Sequence, residues 1–178
     1  MEEKVRNKIL LSAIFLTIAL NVNAFDQKRF DEDTQFYNFA KGKAKGITIL
    51  LSPFNTDRAV KEAFDLYAQG DVSKWKTMVT RLKEASQKAD DIRKVGGTFN
   101  YFSDCANAVN YADLLWNYGA NMRNHPEEWG NQQSFNYRQY QVAKSDLEKS
   151  LTVCKTQINN PPNKKDYERE LVTFGPSS

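Results

Sequence analysis

Apolar positions in this chain recur mostly at three- and four-residue steps, the spacing of one helix face. The clearest run takes in Phe99, Phe102, Cys105, Ala106, Val109, Ala112, Leu115 and Met122. Gly96-Gly97 precedes it. Asn124-His125-Pro126 interrupts it, because proline disfavours helix in the residue before it. Gly130 and Asn131 extend the turn. A second run follows with Phe135, Tyr140, Ala143, Leu147, Leu151, Cys154 and Ile158, and Pro161-Pro162 closes it. The pattern predicts two long helices around one turn, an αα-hairpin over 98–158.

Earlier in the chain the same spacing predicts further helical elements. Phe36, Phe39 and Ala40 fit one face of a helix starting near Asp31. The stretch Lys41-Gly42-Lys43-Ala44-Lys45-Gly46 reads as a basic helix end or connection. It lacks the order of a phosphate loop, which needs two glycines four residues apart followed by Lys and Ser or Thr. Ile47 to Leu51, closed by Ser52-Pro53, fits a strand or a buried helical turn; with no second strand to pair it, a buried helical segment is expected. Asn55 or Thr56 can cap the next helix, with Asp57 at its positive end. Its face is Val60, Ala63, Phe64 and Tyr67, and Gly70 ends it. Asp71 or Ser73 caps a longer helix reaching Val95. Its apolar face is Val72, Trp75, Met78, Val79, Leu82, Ala85, Ala89 and Ile92. Lys74, Lys76, Arg81, Lys83, Lys88 and Asp91 form its solvated side. The expected fold is therefore all-α, a bundle of about five helices with a long C-terminal hairpin. No internal repeat is present.

The two cysteines, Cys105 and Cys154, both lie on the apolar stripes of the hairpin. With the turn centred near residue 128, Cys105 lies 23 residues before it and Cys154 lies 26 after it. Antiparallel helices bring such residues together at the open end, far from the tip. Two cysteines allow only one intrachain pairing. Closing a loop of this size stabilises by about 4 kcal/mol in the chain-entropy model.

Residues 1–24 read as a secretory signal peptide. Lys4, Arg6 and Lys8 give a basic start, Ile9 to Leu20 an apolar run, and Val22-Asn23-Ala24 the small residues of a cleavage site. The run is short for a membrane span, which needs about 20 apolar residues. Export leads to the periplasm or the cell exterior, where disulfides persist. A helical domain over 25–160 is expected, followed by a flexible tail over 161–178 whose Tyr167, Leu171, Val172 and Phe174 can dock on the body. Without residues 1–24 the formal charge falls from +3 to +2. A balance so near neutral argues against nucleic acid as the main partner. Apart from residues 1–24, no apolar run is long enough to cross a membrane.

No catalytic constellation is evident. The sole histidine, His125, stands in the hairpin turn beside Glu127 and Glu128. Neighbours so close in sequence do not make a helix-borne metal ligand set, and no cofactor or metal is expected. The distal half of the hairpin is unusual. Trp116, Tyr118, Met122, Arg123, Trp129, Tyr137 and Arg138 crowd there with Leu114, Leu115, Phe135 and Tyr140. Asn and Gln fill most of the gaps. One helix face cannot bury all these side chains. Trp, Tyr and Arg dominate interface hot spots, so the first seven are the expected partner-binding set.

The resulting expectation is a non-enzymatic exported protein that holds a partner protein at the hairpin tip. A periplasmic small-ligand carrier or sensor, with the aromatics lining a pocket, is the alternative; a cell-wall hydrolase is the third. In overall plan, a small helical exported chain pinned by one disulfide, the protein is similar to periplasmic immunity proteins that guard against secreted cell-wall amidases. The likeness is one of architecture, and it transfers no residue roles.

Overall fold

The computed structural model describes residues 27–97 and 100–167. Residues 1–24, read above as a signal peptide, lie outside this range, as do Phe99, Leu171, Val172 and Phe174. Among the described residues there are five α-helices and no strand. They are α1 (Gln27–Leu51), α2 (Asp57–Ala68), α3 (Ser73–Gly96), α4 (Ser103–Met122) and α5 (Phe135–Asn159). Short 3-10 turns fall at Ser52–Asn55, Pro126–Glu128 and Lys164–Tyr167.

The main unit spans Gln35–Pro161. Its centre is the hairpin. α4 and α5 pack along their length, with α3 against α4 and α2 against both α3 and α4. Cys105 and Cys154 are joined, with Cα atoms 4.9 Å apart and both side chains fully buried. The disulfide clamps the first turn of α4 to the last turns of α5, the end away from the tip. On the face between the hairpin helices, Ala112, Leu115, Leu147 and Leu151 are among the residues removed from water. Each large apolar side chain so buried contributes about 1.5–3 kcal/mol. Gly119 sits in this packing at a close approach. A Cβ there would stand 2.7 Å from the Phe64 ring of α2, so only a bare backbone lets α2 come that near.

α1 differs from the sequence expectation. The basic stretch and the Ile47–Leu51 segment are neither a connection nor a separate turn. One helix runs through both. Two internal glycines cost about 1 kcal/mol each relative to alanine. Burial of Phe36, Tyr37, Ala40, Ala44, Ile47 and Leu51 offsets that cost. Phe39 is not on the buried face. It lies on the flank, 47% exposed, with Lys43 Nζ 5.4 Å from its ring centroid. Tyr37 takes the inner place. It stacks on Phe102 at 5.5 Å and donates its hydroxyl to the Ile158 carbonyl at 2.7 Å. α1 is thereby tied to both chain segments at the open, clamped end of the hairpin.

The first hairpin helix starts at Ser103, later than the periodicity implies. Phe102 is its N-cap residue rather than part of the helix, yet is fully buried, and its N–H is bound by the Asn100 side chain at 2.8 Å. Gly97, at φ 71°, turns the chain out of α3. Thr56 takes the N-cap position of α2, but its hydroxyl donates to the Pro53 carbonyl at 3.2 Å instead of capping. Asp57 occupies the first turn, as its charge suits.

The described residues of the second unit are 27–34 and 162–167. Tyr167 meets Phe30 edge-on at 5.4 Å and donates to the Asp33 carboxylate at 2.6 Å. The Arg29 guanidinium lies 5.9 Å from the same ring. Within the expected tail, Lys164–Tyr167 form the last 3-10 turn among the described residues.

Candidate functional site

The hairpin tip is built by a carboxylate. After Met122 the chain leaves the helix, makes one 3-10 turn at Pro126–Glu128, and reverses at Gly130, whose φ of 82° suits glycine. Glu128 then reaches forward. Its Oε2 accepts from the Ser134 hydroxyl at 2.7 Å and from the Asn136 amide at 2.9 Å. Ser134 is the N-cap of α5, accepting from the Tyr137 N–H at 3.3 Å. The Asn131 side chain accepts from the Gln133 N–H at 2.9 Å. Arg138 donates back to the Gln133 carbonyl at 2.8 Å. The connection between the two hairpin helices, residues 123–134, is therefore cross-braced, not loose.

The Ser134 and Asn136 hydrogen bonds hold the Glu128 carboxyl below its usual range. A lowered folded-state pKa stabilises the tip above the ordinary glutamate pKa. That contribution is lost as pH falls through the lowered value. Titrated by NMR, Glu128 should show a midpoint below that of an ordinary glutamate. The Asn136 side-chain and Ser134 amide signals should move with it. A Glu128 midpoint at the ordinary value, with those signals still, would remove the brace.

Behind the loop lies a ladder of rings. Tyr140 is fully buried, with Trp129 edge-on at 5.2 Å and Tyr137 parallel at 6.3 Å. Its hydroxyl donates to Asp57 Oδ1 at 3.1 Å, and Lys144 Nζ lies 2.9 Å from the same oxygen. Burial, and then the Asp57 charge, hold the Tyr140 phenol far above the usual tyrosine range. It stays a neutral donor and fastens α5 to the start of α2.

The seven expected contact residues divide. Trp116 is 7% exposed, packed on Phe64 at 4.4 Å and Phe54 at 5.9 Å, and Met122 is fully buried. Both belong to the core, and neither offers its side chain to a partner. The α4 face that carries Trp116 turns toward α2, which supplies the covering ring. Tyr118, Arg123, Trp129 and Tyr137 are half-buried. The Arg123 guanidinium lies 5.0 Å from the Tyr67 ring centroid, so its charge is spent partly within the chain. Arg138 is exposed while holding the loop carbonyl.

Phe135 reverses the expectation. The periodicity placed it on the buried stripe of α5, yet it is 62% exposed. The signal was available. Phe135 lies five residues before Tyr140, about 140° around the helix, outside the stripe that continues through Ala143 and Leu147. Leu114 and Val142 are exposed as well. The aromatic and arginine surface left at the tip is Phe135 and Arg138, with the outer edges of Trp129, Tyr137, Tyr118 and Arg123. The packed rings near the tip do not converge: Trp116 packs with Phe54 and Phe64, and Tyr140 with Trp129 and Tyr137.

His125 Nδ1 lies 3.2 Å from Glu127. Among the described residues no group of three or more His, Cys, Asp or Glu side chains is placed to hold a metal ion, and no helix is long and apolar enough to cross a membrane. A scan against protein-family models and searches of curated proteins and of solved structures find no match.

Proposed function

We propose that this chain is an exported, non-enzymatic binding protein that engages a partner protein through its hairpin tip. The observation that carries the reading is Phe135. A large apolar ring stands 62% exposed at the start of a helix whose cap and preceding loop are braced by Glu128. Half-buried Trp129 and Tyr137 and exposed Arg138 accompany it. A rigid surface of this composition loses little conformational entropy on binding. Aromatic and Arg side chains set in such a patch supply most interface energy. The paired cysteines suit an oxidising compartment, the periplasm or the cell exterior. Neutralising a lytic or toxic enzyme, as immunity proteins of similar plan do, is the role this architecture fits best.

The test is a capture experiment on exported-fraction extract, comparing the wild type with Phe135→Glu and Trp129→Ala. A stoichiometric protein retained by the wild type and lost from both variants supports the reading. A protein retained equally by all three places the contact elsewhere. Phe135→Glu should leave the melting temperature nearly unchanged, since the ring is mostly in water.

A further inference from the structure

α1 carries a second surface, none of whose residues belongs to the tip. From Gln35 to Thr56 the chain holds Lys41, Lys43 and Lys45 and no carboxylate. Lys43 is neutralised by Asp91 of α3 at 2.7 Å. Among the described residues, Lys41, Lys45 and the nearby Lys88 of α3 have no carboxylate partner at ion-pair distance. Two apolar side chains stand exposed on the same helix, Phe39 at 47% and Ile49 at 58%.

Between them come Gly42 and Gly46. The order Phe39, Gly42, Gly46, Ile49 follows steps of three, four and three, so the four share one helix face. The two glycines differ. At Gly46 a Cβ would stand 2.9 Å from Lys88 Cδ, so the lysine stem lies over it. At Gly42 a Cβ would meet nothing within 4 Å. Packing within the described chain does not call for a glycine there, and alanine makes the stronger helix. Gly42 is bare floor between two apolar ridges. Ten residues separate the ridges, about 15 Å along the axis, and a helix with its side chains is about 10–12 Å across. The Lys88 stem narrows the Ile49 side of that gap, so another helix laid across α1 approaches most closely over Gly42. Lys45 lies to one side of that floor, and Lys88, reaching over Gly46, to the other.

We infer that this notch receives an acidic amphipathic helix of a partner protein. Its apolar side chains seat against Phe39 and Ile49, and its carboxylates meet Lys45 and Lys88. An anionic bilayer offers the same charge but no rod to fill a notch. Attachment to a bilayer scales with buried apolar area, of which two side chains supply little.

The test titrates the purified protein with three probes. One is a labelled helical peptide of about five turns, leucine on one face and glutamate on the other. The second carries lysine in place of the glutamates. The third is phosphatidylglycerol vesicles. The acidic peptide should bind, at least about tenfold more tightly than the basic one, and weaken as salt screens the charges. Lys45→Glu with Lys88→Glu should weaken it about tenfold or more. Gly42→Leu should do the same by filling the floor. That variant's thermal stability should be unchanged or raised, because the site is open and leucine is the better helix former. Binding equal for the two peptides, unaltered by Gly42→Leu, seen only with vesicles, or absent altogether would overturn the proposal.

Discussion

Replacing Trp116 by alanine will destabilise the protein by about 3–5 kcal/mol, the usual cost of removing a buried tryptophan and leaving its cavity. The indole sits 4.4 Å from the Phe64 ring and 5.9 Å from Phe54, where α4, α2 and the turn after α1 converge. Next to it, Gly119 brings α4 within contact of the same Phe64 ring. The cavity cannot collapse easily, because its walls belong to three elements already in contact. Urea unfolding of Trp116→Ala beside Trp129→Ala provides the check. Trp129 is half-buried on the loop side of Tyr140, so its loss should cost clearly less. A penalty at Trp116 below about 1 kcal/mol, the range of surface substitutions, would move that side chain out of the core.

The second large effect concerns the disulfide. Its cysteines are 49 residues apart in sequence. Replacing both by alanine should lower stability by about 4 kcal/mol through the freed loop entropy of the unfolded chain. In a domain of this size that corresponds to a melting temperature lower by roughly 8–16 °C. The helical circular dichroism should persist, since Leu115, Leu147 and Leu151 still hold α4 to α5. An unchanged melting temperature would mean that the bond contributes nothing, and loss of helix would mean that it is required to form the fold.

The hairpin was legible because its signals agree. Period, a proline break and two cysteines on facing stripes all predict one register, and each is local. α1 was not, because glycine and lysine are weak helix markers by themselves. What makes Lys41 to Gly46 helical is distant: Ala40, Ala44 and Ile47 pack inside the unit, and Lys43 finds Asp91 on α3. At the tip, composition identified a region but not its exposed members. Trp116 and Phe135 are both aromatic and both sit at helix positions. Trp116 is covered because α2 lies over it, which no local pattern states, whereas the exposure of Phe135 is written in its offset of about 140° from Tyr140. The bracing role of Glu128 was missed for a similar reason. A carboxylate whose partners lie six and eight residues ahead, past a reversal at Gly130, looks in sequence like any other surface acid.

The Cys105–Cys154 bond also decides how the molecule answers a pull. Tension applied through the two ends of the main unit is carried straight across that bond. It bypasses everything between the two cysteines. α1, α2 and α3 lie outside the closed loop and can be peeled away and extended, whereas α4, the tip and α5 hang slack from the load path. A partner attached at the tip would therefore stay attached to an intact hairpin while the remainder of the chain is stretched.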